Sequence, residues 1–231
     1  MSDARVTPLP VVILLSGNGS NLQAIIDATG SEALPIEIKA VISNKPQAFG
    51  LERAKRAGIA TAVLEHTAFA DRAGFDQALM TLIDRHQPRL VILAGFMRIL
   101  TPEFVRHYHG RLLNIHPSLL PKYTGLDTHR RALAAGEPEH GASVHFVTEE
   151  LDGGPVIIQG RVPVQAGDTP ETLAKRVLVL EHRIYPLAIR WFAEGRVRLE
   201  GSSLWFDNRP LVRPITLDQG QAHPAFPTSH E

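Results

Sequence analysis

The chain has 231 residues, of which 44% are hydrophobic, with 24 Lys+Arg balancing 24 Asp+Glu and no cysteine. This length suits one globular domain, or one domain with an extension, and supplies a sizeable core. Zero formal charge argues against a general nucleic-acid binder, which needs a basic face. The absence of cysteine excludes disulfides and thiolate metal sites and fits a reducing cytosol. No charged-then-apolar signal segment opens the chain, and the longest early apolar run, residues 11–15, is far too short to span a bilayer. The expectation is a soluble cytoplasmic protein without a membrane partner.

Residues 11–15 form a continuous Val/Ile/Leu run, as expected for a strand covered on both faces. The loop Ser16-Gly17-Asn18-Gly19-Ser20-Asn21 follows, and a helix then begins, with Ser20 or Asn21 as its cap and Leu22, Ile25 and Ile26 on one face. A second strand is predicted over 36–42, a helix over 49–57 stopped by Gly58, and a third strand over 59–64. Phe75, Leu79, Leu82 and Ile83 make the apolar stripe of a helix ending near Pro88, and 90–94 reads as a fourth buried strand. Strands and helices alternating at this spacing predict an α/β, doubly wound, mostly parallel sheet with helices on both faces.

The second half is less regular. A short fifth strand is predicted over 111–115, a Pro/Gly-rich loop over 117–127 and a helix over 128–135. Strands over 142–147 and 156–164 flank Asp152-Gly153-Gly154-Pro155 and are expected to run antiparallel. A long helix over 169–193 is expected to kink at Pro186. Residues 197–200 and 204–206 suit a small hairpin. The domain is therefore read as 1–207, with 208–231 as a proline-rich tail that is loosely held or disordered.

Gly17-Asn18-Gly19 invites a dinucleotide-binding reading, but the third glycine falls on Leu22 and the second strand ends in Ser43-Asn44-Lys45 rather than an acidic residue. There is no Walker-type GK[ST] either. A glycine turn feeding a helix N-terminus, rich in hydroxyl and amide groups, is a cradle for one phosphate; the bland alternative is a tight turn with no ligand.

In a doubly wound sheet, ligands bind beyond the carboxyl ends of the strands. The glycine loop, Gly95-Phe96-Met97-Arg98 and Asn114-Ile115-His116 all sit at such ends. Residues 114 and 116 of one strand point to the same face, so Asn114 and His116 can address one reacting centre. Asp152, in its glycine-rich loop, is free to approach; by itself it could be only a hairpin turn. An amide can hold a developing oxyanion, an imidazole can move a proton and a carboxylate can orient that imidazole. With no cysteine nucleophile, the chemistry indicated is acyl-type transfer between two bound molecules. His140 and His145 could join His116 at a metal, but their spacing fits no common ligand motif, and no metal is expected.

The segments Ser16-Gly-Asn-Gly-Ser-Asn-Leu-Gln-Ala-Ile, Leu93-Ala-Gly-Phe-Met-Arg-Ile-Leu, Asn114-Ile-His-Pro-Ser-Leu-Leu-Pro and Gly141-Ala-Ser-Val-His-Phe-Val-Thr-Glu-Glu-Leu-Asp-Gly-Gly-Pro-Val-Ile resemble those of the glycinamide ribonucleotide transformylases. These are 10-formyltetrahydrofolate-dependent formyltransferases of purine synthesis. The resemblance spans residues 10 to about 200. It implies a Rossmann-like fold and transfer of a formyl group from the folate to the amine of 5′-phosphoribosylglycinamide. Asn114, His116 and Asp152 would be the catalytic set. Gly19, Ser20 and Asn21 would bind the substrate phosphate, and Glu181 would hold its amine or ribose. Met97, Arg98, Ile99 and Leu100 would line the folate pocket, with Asn114, Arg72 and the segment Thr148, Glu149, Glu150, Leu151 and Asp152 completing it. The implied partners are small molecules only, with a monomer or homodimer and no metal. Three residues depart from the family pattern: Thr124 where a proline is usual, Asp127 where a histidine is usual, and Leu178 in place of a more polar residue near the phosphate end.

Other readings rank lower. A 10-formyltetrahydrofolate hydrolase would be expected to carry a regulatory domain ahead of the first strand, where about ten residues stand here. A methionyl-tRNA formyltransferase would need a tRNA-binding domain and a basic surface. A non-catalytic nucleotide-binding module would have no use for the Asn114, His116 and Asp152 set.

Overall fold

The structure is a computed structural model that describes residues 7–31 and 34–227. Its first half is the alternating unit expected from the sequence, with one helix, α4, that the sequence reading did not include: β1 (Leu9–Leu15), α1 (Ser20–Ser31), β2 (Ile36–Ser43), α2 (Phe49–Arg56), β3 (Thr61–Val63), α3 (Arg72–Asp84), β4 (Leu90–Leu93), α4 (Pro102–His107) and β5 (Leu112–His116). Then follow α5 (Thr128–Ala134), β6 (Glu139–Phe146), β7 (Val156–Pro163), α6 (Pro170–Ala193), β8 (Val197–Glu200), β9 (Ser203–Phe206), β10 (Arg209–Pro210) and β11 (Ile215–Asp218).

The main sheet runs β11-β7-β6-β5-β4-β1-β2-β3. Pairing is parallel from β3 to β5 and antiparallel at β5–β6 and β6–β7. The fold is thus α/β with a mostly parallel sheet and antiparallel strands in the C-terminal half. Val11 to Leu15 are wholly buried because both faces are covered. Val11, Ile13 and Leu15 enter the core shared with α1 and α6, while Val12 and Leu14 enter the one shared with α3. The strand order reverses between β1 and β4, so the switch point, and with it the crevice, lies between the loops that follow these two strands.

Two local expectations are revised, at the start of α1 and at the C-terminus. Helix α1 starts at Ser20, and the Gln23 N–H bonds to the Gly19 carbonyl; Asn21 therefore lies inside the first turn rather than capping it. Helix α6 runs through Pro186 as a single element. The largest revision is at the C-terminus. The segment expected to be loosely held continues as β10 and β11. The latter pairs in parallel with β7 and buries Ile215 and Leu217. Phe226 then packs against Trp191 and Phe206, with ring centroids 6.0 and 5.5 Å apart. An exposed sheet edge and an aromatic surface on α6 and β9 give these residues something to cover. Residues 228–231 of the expected tail lie outside the described part.

Candidate active site

Strand β5 brings Asn114 and His116 to the sheet's carboxyl edge on one face, and β6 lies antiparallel beside it with His145 directly opposite Asn114. The His145 Nδ1 lies 2.9 Å from the Phe146 carbonyl. A carbonyl oxygen only accepts, so Nδ1 carries the hydrogen. Burial pushes the His145 pKa down to about 4, which leaves the ring neutral at pH 7 and Nε2 a bare acceptor. Asn114 Nδ2, 3.2 Å away, must then be the donor. His145 thereby fixes which way round the Asn114 amide sits. Among the described residues no partner takes its second N–H, which stays free for a ligand.

His116 is held from the other side. Its Nε2 donates to the Tyr123 carbonyl at 2.9 Å, so Nδ1 is the nitrogen left to gain and lose a proton. That atom lies 3.5 Å from Asp152 Oδ2, with both side chains nearly buried. The same carboxylate oxygen accepts the Gly125 N–H at 2.9 Å, and Asp152 Oδ1 lies 4.0 Å from His145 Nε2. Asp152 sits in a turn at φ 53, a left-handed conformation tolerated by Asp. A Cβ at Gly154 would strike the Phe146 carbonyl, so only glycine lets this turn lie against β6. The turn borders a cavity of about 320 Å³ lined also by Leu120, Pro121, Leu211 and Pro214. The structure thus brings Asn114, His116 and Asp152 into one cluster. It adds His145, which spacing alone did not single out.

The glycine loop stands across the switch point. Gly19 has φ 74, and a Cβ there would come within 2.6 Å of the Gly50 Cα. Two glycines let the loop press onto the start of α2. The Arg53 guanidinium holds the Asn18 carbonyl and Oδ1, each at 2.9 Å. The Asn21 amide donates to Glu181 Oε2 at 2.6 Å, a buried bond between residues 160 positions apart. Burial raises the Glu181 pKa above 4.5, and the Asn21 bond opposes that rise. Ser20 begins the helix at the cleft side of the loop, where free N–H groups of a first turn collect.

Loop 94–101 makes the other wall. Met97 and Ile99 are 62% and 57% exposed, and Leu151 is 53% exposed; these apolar side chains stand at the surface rather than in a core. Arg98 and Leu100 are half-buried between them. Anchors beneath shape the loop. The Ser16 hydroxyl donates to Asn44 Oδ1 at 2.6 Å and accepts the Met97 N–H at 2.8 Å. Asp76, buried on α3, accepts the Thr101 N–H at 2.6 Å. Burial raises the Asp76 pKa, while Thr101, Arg72 and Arg98 counter that. Arg72 is exposed at the start of α3, Thr148 is half-buried, and Glu149 and Glu150 lie on the exposed turn. Glu149 pairs with Arg106 at 2.8 Å. Neither Arg72 nor Glu149 has a described contact with Asn114, His116 or Asp152. Sequence reasoning passed over Asp76 and Ser16 because each reads as an ordinary polar residue at an element's edge.

His140 contacts His129 (3.1 Å), while His116 and His145 both face the Asp152 carboxylate. The departing residues also have places. Asp127 adopts φ 58 ahead of α5 and pairs with Arg130, and the Thr124 carbonyl accepts from Arg131.

The formyl transferase family matches residues 9–189. Phosphoribosylglycinamide formyltransferase of Escherichia coli is 59% identical over 201 residues, covering 87% of this chain and 95% of the relative. The enzyme of that name from Haemophilus influenzae is 47% identical over 88% of this chain and 96% of its own. Among solved structures, phosphoribosylglycinamide formyltransferase of Coxiella burnetii superposes with a TM-score of 0.86 at 56% identity, over 89% of this chain and 96% of that one. With the family matched over most of the chain and the fold shared with a solved phosphoribosylglycinamide formyltransferase, the chain belongs to the formyl transferase family, among its phosphoribosylglycinamide formyltransferases.

Proposed function

We propose that this cleft transfers the formyl group of 10-formyltetrahydrofolate to the amine of 5′-phosphoribosylglycinamide, yielding formylglycinamide ribonucleotide and tetrahydrofolate. The observation that carries the reading is the meeting of Asn114, His116 and Asp152 at the end of β5, with an oriented amide N–H and an imidazole whose Nδ1 faces a carboxylate. The folate supplies the formyl group. Its flat ring system suits the apolar wall of Met97, Ile99, Leu100 and Leu151, with Arg72, Arg98 and the turn from Thr148 through Glu149 and Glu150 to Asp152 around it. The ribonucleotide lies at Gly19, Ser20 and Asn21, with Glu181 near its ribose or amine.

As the substrate amine forms its bond to the formyl carbon, negative charge grows on the formyl oxygen. The free Asn114 N–H donates to that oxygen. His116, protonated on both nitrogens, adds its Nδ1–H while Asp152 balances its charge. The C–N bond to the folate then breaks. The departing nitrogen takes up a proton and the new amide nitrogen has lost one, so no net proton is consumed. Asp152, directly or through a water, is placed to carry that proton. The molecule acts in the cytoplasm on small molecules, as a monomer or homodimer.

The test is turnover of purified protein with both substrates, following formylglycinamide ribonucleotide and tetrahydrofolate together. Formate release without the amine would make it a hydrolase instead. His116→Ala is expected to lose most transfer while keeping ribonucleotide affinity; unchanged turnover would remove His116 from the mechanism.

A further inference from the structure

The orientation of the His116 ring is set by one backbone oxygen. The Tyr123 carbonyl accepts the Nε2–H at 2.9 Å, so whatever fixes this carbonyl also fixes the tautomer and the tilt of the ring. Two residues on, the Gly125 N–H binds Asp152 Oδ2 at 2.9 Å. The stretch 123–125 thus holds both members of the His116–Asp152 pair, yet it is irregular loop. Pro117 and Pro121 stiffen the loop's first half, and no proline follows in 122–127. Tyr123 itself stands at φ 56, a left-handed conformation that is rare for a bulky L residue and persists only where surrounding contacts impose it.

Those contacts come from outside the loop. Glu137 follows α5 and is tied to it by its own N–H, which binds the Ala132 carbonyl at 3.2 Å. Its carboxylate accepts the Tyr123 hydroxyl at 2.8 Å and Lys122 Nζ at 3.0 and 2.8 Å. The Tyr123 ring borders a cavity of about 190 Å³ that Leu119, Pro121, His140 and Gln159 also line, so close packing does not fix it on that side. Arg131 of α5 lies over the ring, 5.3 Å from its centroid, and donates to the Thr124 carbonyl at 2.6 Å. Glu137 therefore fixes the tip of the ring and Arg131 the carbonyl that follows. The lysine adds less, because its side chain is 61% exposed and solvent screens such a pair.

We propose that Glu137 is a positioning residue for the transfer reaction: by holding the Tyr123 hydroxyl it fixes the carbonyl that keeps His116 Nε2 a donor and turns Nδ1 toward Asp152. The inference rests on the formyl-transfer reading and deepens it. Glu137 acts through Tyr123 alone; the carboxylate beside the imidazole is that of Asp152.

The experiment compares wild type with Glu137→Ala, Glu137→Gln and Tyr123→Phe. Glu137→Ala and Tyr123→Phe are each expected to lower kcat about fivefold, the equivalent of one hydrogen bond, with KM for both substrates changed less than twofold. Glu137→Gln keeps an acceptor oxygen and should stay within about twofold of wild type in kcat. Tyr123→Phe removes a single oxygen and keeps the ring, so it tests the clamp even if Glu137→Ala disturbs folding. A second readout does not depend on turnover: nitrogen-15 NMR of histidine-labelled protein, at a pH where the ring of residue 116 is neutral, with its signals identified by their loss in His116→Gln. Wild type and Glu137→Gln should carry the hydrogen on Nε2, whereas Glu137→Ala and Tyr123→Phe should show both tautomers. An unchanged tautomer in those two variants, equal losses in Glu137→Gln and Glu137→Ala, or losses confined to KM would overturn the assignment. If wild type transfers no formyl group, the formyl-transfer reading itself fails, and the tautomer in the two variants alone decides whether Glu137 holds His116.

Discussion

At the β5–β6 corner Asn114 and His116, the side chains proposed to react, project from hydrogen-bonded strands, whereas the 94–101 segment is an irregular loop held from below by Ser16 and Asp76. The first arrangement obtains its precision from the strand ladder. Two-residue alternation puts Asn114 and His116 on one face, and the antiparallel register sets His145 against Asn114. The second obtains its shape from buried polar groups that each satisfy one loop N–H. The proposed chemistry therefore rests on a strand ladder, and the proposed recognition surface on a few side-chain anchors that decide the loop's path. Damage to the corner should cost rate, and damage beneath the loop should cost affinity.

The largest effect is expected from Asn114→Ala. Loss of one oxyanion donor should lower kcat by about 10²–10³, with KM for both substrates nearly unchanged; a fall confined to KM would place Asn114 in binding only. His145→Phe removes the acceptor that orients the amide and should lower kcat by about tenfold, the equivalent of one lost hydrogen bond. His145→Gln, whose side-chain oxygen can accept the same N–H, should recover much of that rate. Identical rates in the two variants would show that packing, not orientation, is what His145 provides.

Asp76→Ala leaves the Thr101 N–H without its buried partner. It should raise the folate KM several-fold and cost about 1–3 kcal/mol of stability, with Asp76→Asn restoring most of both and kcat steady throughout. An unchanged folate KM would uncouple the anchor from the loop. The smallest effect concerns Glu181, whose folded pKa lies above 4.5 because of burial. The folded state holds its proton more tightly than the unfolded chain. Its contribution is thus fully present below the unfolded pKa and is lost as pH rises through the raised value. Glu181→Gln should flatten the denaturation midpoint as pH rises from 4.5 upward, while weakening ribonucleotide binding. A midpoint profile parallel to wild type would refute the buried-charge account.

Some of this was legible in residue order alone. The apolar run at 11–15, the helical stripe through Phe75, Leu79 and Ile83, and the Asn114/His116 alternation each depend on neighbours a few positions away. Other features were not legible. The Asn21–Glu181 bond joins α1 to α6, the His145–Asn114 contact depends on one strand's register against another, and Asp76 acquires its role only where α3 passes under the 94–101 loop. The C-terminal segment illustrates the same limit: Ile215 and Leu217 become strand β11 only because β7 offers an open edge.

By itself the sequence determined the α/β class, the strand ends at which a crevice forms and the residue types able to move a proton and hold an oxyanion, because those follow from local periodicity and side-chain chemistry. Only the tertiary structure decided which nitrogen of His116 is free, which way the Asn114 amide faces and what the C-terminal residues cover. Each of those depends on a hydrogen-bond partner or a surface brought close by folding from a distant part of the chain.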